Sequence, residues 1–380
     1  MATVPRFKSD TTNSIFGSFL YDQVVPQDHF LRVAKDQVDW ELFTTRCLRW
    51  YRGSGTDGRP PYNPAVLLRM LLVSYLYGLS ERRTEGAVND TLSMKYFVGL
   101  GVDEVAPDHS SLTRFKDRLL AGAGQTAYDS LLRDILREAG RLGISFGSIQ
   151  LVDAVHSLAN VILDQDRQRK KDGQPPRDPD AGHGVKRVKV IRDASGVKRR
   201  IPDRFYGYKA HVSANAETRL VTSLQTTSGA VYDGHHLEPL VTKDRFTPGL
   251  PTDRTYSADK AYDTLDNHGT LEERKLHDAL ILNDYRTQKK DPNKQRWLTL
   301  EGTPEYQAGT QQRGRIEAIF GSWKTSHGFR RCRSVGLAAF GVQARLTALA
   351  WNLQVVVAHL TGSTRRGYAY AGVGVRLLSP

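Results

Sequence analysis

Residues 148–155 read SIQLVDAV, a short apolar run that carries a single carboxylate at Asp153. Such a run is typical of a central strand that is covered on both faces. The strand-like segments YGYKAHVSAN (206–215) and RLVTSLQTTSG (219–229) follow, and Asn215 to Thr218 supply the turn of a hairpin between them. This part of the chain therefore predicts the beginning of a sheet.

Helices and strands then alternate. HHLEPLV (235–241), RGRIEAIFGSWK (313–324) and GLAAFGVQARLTALAWNLQVVVAHL (336–360) have helical spacing, whereas RTYSADKAY (254–262) and DALIL (278–282) are strand-like. The order strand, hairpin partner, third strand, helix, strand, helix, strand, helix is that of a ribonuclease-H-like sheet. The predicted fold class is therefore α/β, a mixed sheet with helices on both faces.

An all-α region precedes the sheet. NPAVLLRMLLVSYLYGLS (63–80) begins with an Asn63–Pro64 capping pair, ends at Gly78, and supplies Ser80 as the next cap. Asp108 caps PDHSSLTRFKDRLL (107–120), whose basic side chains, including Arg114, resemble those of a helix-turn-helix-like DNA-binding module. Solvated charge on an ordinary bundle is the alternative. The predicted domains are 1–143 (helical, DNA-binding), 144–334 (catalytic) and 335–380 (closing helix and tail).

Composition favours a polyanionic partner. The chain has 54 Lys and Arg against 41 Asp and Glu, a net charge of +13, and basic proteins gain affinity for nucleic acid by releasing condensed counterions. The alternative is a basic soluble enzyme without such a partner. Cys47 and Cys332 form no metal-binding pair, and the N-terminal residues lack the apolar core of a secretory signal, so we expect a cytoplasmic protein with no membrane span.

Two stretches concentrate the positive charge. Residues 164–204 contain 13 Lys and Arg against 7 Asp, and residues 284–333 contain 11 against 5 acids. The first stretch, rich in proline and glycine, predicts an extended, mobile basic loop over 164–205. A solvated surface is the common explanation of such runs, but two runs that flank one carboxylate cluster favour a phosphate backbone lying across it.

Three acids are candidates for phosphodiester chemistry, which two Mg²⁺ ions held by a few carboxylates can carry out. Asp153 lies inside an apolar run, where a carboxylate is costly unless a metal or hydrogen bonds compensate it. Asp259 ends a strand, where ligands of open α/β sheets gather. A backbone-bonded strand end is the alternative for Asp153, and Lys260 beside Asp259 is either a DNA contact or a surface ion-pair partner.

Glu317 is the third candidate. At about 100° per residue, Arg313, Glu317 and Lys324 lie on one helical face, so the helix presents an acid between two cations that can hold phosphates. The alternative is a simple ion pair between Arg313 and Glu317, worth about 0.3–0.5 kcal/mol.

These motifs together resemble the bacterial insertion-sequence DDE transposases of the insertion-sequence-four/five superfamily. The resemblance is carried by LVDAVHS (151–157), YSADKAYD (256–263), the spacing Arg313-x3-Glu317-x6-Lys324, and the second and third strands, and it covers roughly residues 20–355. One branch of the superfamily has a tyrosine where this chain has Thr310. That departure puts the tyrosine's phosphate contact in doubt and leaves the proposed metal ligands in place.

The resemblance implies a function and roles for named residues. Asp153, Asp259 and Glu317 would be the catalytic and metal-binding triad, with two Mg²⁺ ions for which Mn²⁺ can substitute. Arg313 and Lys324 would contact the DNA of the element's terminal inverted repeats. Target DNA is a second expected partner, in a homodimer or larger synaptic complex at the bacterial nucleoid. In some members an aromatic side chain stacks on a flipped base, for which Trp297 and Trp323 qualify by residue type, although Trp323 fits a core position better.

Other motifs in the sequence do not change this interpretation. GISFG (143–147) matches a serine-hydrolase motif but follows a helix and precedes a strand, the reverse of what that motif needs. The sequence contains no phosphate-binding glycine loop, so we expect no nucleotide cofactor. His235 and His236 beside Asp233 fit a turn and helix cap better than a metal site, and the alternative role for Asp233 is to support the active-site floor. The alternatives to a transposase are a related nuclease without strand transfer and a catalytically silent DNA-binding regulator.

Overall fold

The computed structural model describes residue 7 and residues 15–51, 61–192, 198–283 and 297–362. The described chain divides into two compact units. One contains the described residues of 1–145 and of 346–380, and the other spans residues 146–345.

Within the described residues, eight helices form the N-terminal part of the first unit. The helix α4 is its most buried element, since every residue from Pro64 to Leu76 is buried, which accounts for an apolar sequence on all sides of the helix. The helices are α1 (Ile15–Val24), α2 (Phe30–Gln37), α3 (Trp40–Leu48), α4 (Pro64–Leu76), α5 (Glu81–Asp90), α6 (Leu92–Val98), α7 (His109–Ala123) and α8 (Gln125–Arg141).

The predicted caps of these helices are confirmed. The side chains of Asn63, Ser80 and Asp108 accept hydrogen bonds from the backbone N–H groups of Ala65, Arg83 and Ser111, respectively. Each bond satisfies an N–H group that has no partner inside its helix.

A six-stranded mixed sheet organises the second unit. The strands are β1 (Ile149–Leu158), β2 (Gly182–Arg192), β3 (Lys198–Asn215), β4 (Val221–Ser228), β5 (Thr255–Ala258) and β6 (His277–Leu280). β1 pairs antiparallel with β3 and parallel with β5, β3 pairs antiparallel with β4, and β5 pairs parallel with β6. β2 also pairs antiparallel with β3. Apart from β2, the strand order is β4-β3-β1-β5-β6. This is the order of a ribonuclease-H-like sheet, so the predicted fold class is confirmed.

Helices cover both faces of this sheet. The helices described in this unit are α9 (Leu163–Lys171), α10 (Leu237–Asp244), α11 (Leu265–Glu273), α12 (Pro304–Gln312) and α13 (Arg315–Ser326), and α14 (Leu337–Leu360) continues from this unit into the first. On one face of the sheet Leu237 and Leu240 of α10 and Leu271 of α11 pack with Val152 and Ala258 in a buried cluster. On the other face α12 lies against β5 and β6, and α13 lies against β1.

The predicted extended loop over residues 164–205 is wrong. The segment contains α9 and two strands, and residues 182–192 pair antiparallel with residues 198–207. Val185, Val190 and Ile201 remain 46–57% exposed, so these three apolar side chains of the hairpin are not part of a core. Backbone pairing therefore organises a sequence whose composition alone indicated a loop.

The glycine-serine motif at 143–147 lies between α8 and β1, as predicted, and so lacks the strand-to-helix turn of a serine hydrolase. Among the helices that the structure describes, none is both long enough and apolar enough to cross a membrane.

Candidate active site

Asp153 and Asp259 lie next to each other on neighbouring parallel strands. Val152 of β1 is in register with Ala258 of β5. Asp153 directly follows Val152, and Asp259 directly follows Ala258. Adjacent strands are about 4.8 Å apart, so the strand pairing brings the two aspartates together. This placement is independent of any family resemblance.

Side-chain alternation assigns Asp153 to a face of the sheet. It shares that face with Leu151, which is in register with Ser257. Gly309 of α12 approaches Ser257 closely, because a Cβ added to this glycine would lie 3.3 Å from the Ser257 Cβ. Asp153 therefore points toward the layer that contains α12 and α13.

The environment of Asp153 disfavours its charged form. The pKa of this carboxyl is raised to about 7, chiefly by burial and additionally by the charges of Asp259 and Asp233, whereas a hydrogen bond from the backbone N–H of Ala154 and the charge of Arg313 oppose the rise. That bond, at 2.7 Å, was the alternative explanation of a buried acid. It is present, but it does not offset the cost of burial.

Asp259 caps the turn that follows β5. Its Oδ1 accepts a hydrogen bond of 2.9 Å from the backbone N–H of Ala261, at the start of the 3-10 turn Lys260–Tyr262. Burial raises the pKa of Asp259, Asp233 raises it as well, and Arg313 lowers it. Asp153 and Asp259 thus share the same charged neighbours.

Asp233 is a third carboxylate of this region. It begins the 3-10 turn Asp233–His236 after β4, and its Oδ1 accepts a hydrogen bond of 2.8 Å from Lys209 Nζ. The predicted turn is confirmed, whereas the predicted side-chain cap is not, because no side chain among the described residues caps this turn or the helix that follows it. The sequence indicates only weakly that Asp233 approaches the other two aspartates.

Glu317 is placed differently. It lies in the first turn of α13, its side chain is 65% exposed, and its Oε1 is 3.7 Å from Arg313 Nη2. Arg313 affects the pKa of both Asp153 and Asp259, and Glu317 follows it by one helical turn. The predicted ion pair is present, and the structure does not bring Glu317 into the carboxylate cluster.

The chemistry of the site suits a hard divalent cation. Carboxylate oxygens are the ligands that Mg²⁺ and Mn²⁺ prefer, and burial and the charge of Asp233 disfavour the charged forms of Asp153 and Asp259 in spite of the opposing charge of Arg313. The hydroxyl of Tyr262 is buried near Asp153, Asp233 and Asp259 and has no hydrogen-bond partner among the described residues. Within that part of the chain, however, no three His, Cys, Asp or Glu side chains are arranged to hold a metal ion. The donors therefore fit in type, whereas the three-ligand arrangement is not formed.

The residues that are predicted to contact DNA differ in how exposed they are. Lys324 is half-buried at the end of α13, and Lys260 is exposed at the start of the turn after Asp259. Arg114 is exposed on α7 of the first unit, where its neighbours are engaged: Lys116 pairs with Glu81, and the Arg118 guanidinium lies 4.3 Å from the Tyr51 ring centre.

Neither tryptophan has the exposure of a free stacking surface. Trp323 is fully buried, which confirms the core position. Trp297 is 9% exposed and stacks on His268 with ring centres 4.2 Å apart. Thr310, at the position of the tyrosine found in one branch of the superfamily, donates a hydrogen bond of 2.9 Å to the carbonyl oxygen of Tyr306 in its own helix.

Two segments of the chain match known protein families. Residues 19–118 match the family described as "Transposase domain (DUF772)", and residues 184–353 match the "Transposase DDE domain". Together the two matches include most of both compact units, and the second includes Asp259 and Glu317.

Similar solved structures include a piggyBac transposase synaptic complex with hairpin DNA and a Mos1 transposase paired-end complex with left transposon end. The first is 10% identical, with 88% of this chain and 74% of that chain covered and a TM-score of 0.40. The second is 11% identical, with 71% and 82% covered and a TM-score of 0.21. Neither likeness is close enough to identify a fold or a function.

Proposed function

The chain belongs to the DDE transposases of the insertion-sequence-four/five type, and from this membership we propose that it cleaves DNA at the ends of an insertion sequence and joins those ends to target DNA. The observation that carries the proposal is the register of β1 and β5, which puts Asp153 and Asp259 side by side. A pair of half-buried carboxylates on adjacent strands, one within β1 and one directly after β5, is suited to phosphodiester chemistry rather than to packing.

Asp153, Asp259 and Glu317 would hold two divalent cations, Mg²⁺ or Mn²⁺. When bound, such ions stabilise the negative charge that develops on a phosphate and make water a better nucleophile. Glu317 is available for this role, because an exposed pair 3.7 Å apart is held only weakly. Arg313 lies close enough to both aspartates to affect their pKa values, so the same residue can hold a phosphate beside them.

The reaction has two displacements. Water attacks the phosphodiester at the element's end, the bond to the 3′-oxygen breaks, and a 3′-hydroxyl is released. That hydroxyl then attacks a phosphodiester of the target, so that one bond forms as another breaks. Because both ends must be joined to the same target, we infer a homodimer or a larger complex on double-stranded DNA.

The test uses the full chain and a plasmid that carries the DNA flanking the gene. With Mg²⁺ present, the wild type should release the 3′ ends and join them to a second plasmid. Asp153→Asn and Asp259→Asn should each lower cleavage by at least about 100-fold while DNA binding persists, because each loses a ligand charge. Asp164→Asn is the matched control, since that side chain is 86% exposed in a surface ion pair.

The outcomes separate three functions. Cleavage followed by joining supports the transposase. Cleavage without joining would indicate a nuclease without strand transfer. If Asp153→Asn cleaved as well as wild type, these carboxylates would not be catalytic, and a wild type that binds DNA without cutting it would be a DNA-binding regulator.

A further inference from the structure

Three cations lie near the end of β1 in the second unit: Lys186 on the β2–β3 hairpin, Lys324 on α13, and Arg330 on the segment that follows α13. We propose that Lys186, Lys324 and Arg330 form a phosphate-binding site for the DNA backbone, with Lys186 supplied by the β2–β3 hairpin. The proposal rests on the proposed function in that DNA is the ligand. Lys186 and Arg330 are not among the DNA contacts that the sequence predicts. The hairpin lies in the segment for which the sequence predicts a loop.

Backbone contacts fix the position of Arg330. Its carbonyl oxygen accepts a hydrogen bond of 3.0 Å from the N–H of Leu158, at the end of β1, and the N–H of Cys332 donates one of 2.7 Å to the carbonyl oxygen of Leu158. The Arg330 Nε also donates a hydrogen bond of 3.1 Å to the carbonyl oxygen of Lys324. Arg330 and Lys324 are therefore held together at the end of β1.

A β-bulge presents Lys186. The β2–β3 register shifts between Val185 and Arg187, so Lys186 is the extra residue of the bulge, and such a residue bends its strand and redirects its side chain. Two residues earlier, Gly184 pairs with Phe205, whose ring lies 4.7 Å from the ring of His156 on β1. The base of the hairpin is thus packed against the strand that carries Asp153.

The charges of the three residues act on one another. Burial lowers the pKa of Lys324, the charges of Lys186 and Arg330 lower it further, and that of Asp153 opposes them. The pKa of His156 is lowered to about 4, mostly by burial, and the charges of Lys324 and Lys186 add to the effect. His156 is therefore neutral at pH 7, and Lys324 lies close enough to Asp153 for that carboxylate to affect its pKa.

None of the three cations forms an ion pair with a carboxylate of another described residue. Like charges held close together repel each other, and an anion that binds between them removes that cost. A phosphodiester suits the set, because a guanidinium can donate two parallel hydrogen bonds to phosphate oxygens while the two ammonium groups act as point charges. The carboxylates of Asp153 and Asp259 are where the DNA would react.

The proposal is tested by the salt dependence of DNA binding. The full chain is titrated onto a fluorescent duplex of arbitrary sequence in EDTA, at salt concentrations from about 50 to 200 mM, so that no catalysis takes place. Lys186→Ala should reduce the slope of log K against log salt by about 1, the value expected for one lost phosphate contact. Lys186→Arg should restore the slope.

Arg245→Ala is the matched control. It removes an exposed cation at the end of α10, the helix that covers the opposite face of the sheet, and should leave the slope unchanged. If Lys186 and Lys324 hold one phosphate, the slope lost in the double variant Lys186→Ala/Lys324→Ala will be smaller than the sum of the two single losses. A Lys186→Ala slope equal to that of wild type overturns the proposal.

The proposed function fails in a different experiment. Cleavage by Asp153→Asn at the wild-type rate would refute the catalytic assignment and leave the slope measurements unaffected. Conversely, an unchanged slope for Lys186→Ala in a protein that cleaves and joins DNA would refute only the phosphate site.

Discussion

Replacing His268 by glutamine should remove a pH-dependent part of the stability. His268 is buried between two carboxylates: its Nδ1 lies 2.5 Å from Asp278 Oδ2 and its Nε2 lies 3.0 Å from Asp263 Oδ1. Because both ring nitrogens face acceptors, the imidazole carries both protons. Burial alone would lower its pKa, but the hydrogen bonds with Asp263 and Asp278 outweigh burial and raise the pKa to about 9.

The magnitude follows from this pKa. An ordinary histidine has a pKa of 6.5, so the folded state binds the proton more tightly than the unfolded state. The difference corresponds to about 3 kcal/mol. This contribution is fully present below pH 6.5 and is lost as the pH rises through about 9, because the histidine then becomes neutral in both states. His268→Gln keeps two polar atoms but cannot carry the charge.

The measurement is urea unfolding of wild type and His268→Gln between about pH 6 and pH 10. The gap between their unfolding free energies should be largest near pH 6 and should shrink by about 3 kcal/mol toward pH 10. His277→Gln is the control, because that imidazole pairs with Asp253 at the surface, where the side chains are 43% and 82% exposed. A gap that is constant with pH, or an NMR titration of His268 near pH 6.5, would refute the reasoning.

Two further predictions concern packing near the carboxylates. Gly309→Ala should lower the unfolding free energy, measured by urea unfolding, by about 1–3 kcal/mol. The added Cβ would lie 2.6 Å from a side-chain carbon of β6. Gly321→Ala is the control and should not destabilise the protein, because there is open space around Gly321. Asn267 donates hydrogen bonds of 2.8 Å to the carbonyl oxygens of both Gly234 and Tyr262, so Asn267→Ala should lower both thermal stability and the cleavage rate, and an unchanged rate would show that these turns need no such link.

Local signals in the sequence predicted most of the element order. The caps at Asn63, Ser80 and Asp108 depend on a side chain and backbone groups two or three residues away, so the sequence contains everything that the interaction needs. The apolar run of β1 and the turn between β3 and β4 are local in the same sense. These signals identified the ribonuclease-H-like sheet.

The β2–β3 hairpin could not be predicted in this way. Sequence patterns identify a strand when one face is buried and apolar residues alternate. Val185, Val190 and Ile201 remain about half exposed, and charged residues occupy half of the other positions in 182–192 and 198–207, so the segment resembles a solvated loop. Its strands are organised by pairing with each other, which has no compositional signature.

The carboxylate cluster depends on contacts between distant parts of the chain. Asp153 was recognisable because a carboxylate in a buried strand is costly, and burial is indeed the largest cause of its raised pKa. Asp259 acquires its position from the register of β1 and β5. Asp233 approaches them because the turns after β4 and β5 meet, where Tyr232 donates a hydrogen bond of 2.7 Å to the carbonyl oxygen of Ala261. No local pattern encodes that contact.

The spacing of Arg313 and Glu317 determines only part of their arrangement. The spacing of Arg313 and Glu317 correctly predicted that they are neighbours, and the 3.7 Å ion pair follows from it. Which way their shared face points depends on how α13 packs on the sheet, and Arg313 is the member whose charge reaches both aspartates. If Glu317 is the third metal ligand, its carboxylate must leave Arg313 and approach the site formed by Asp153 and Asp259. Since the exposed pair contributes little stability, breaking it costs little, and the larger cost is that of taking the Glu317 carboxylate out of water.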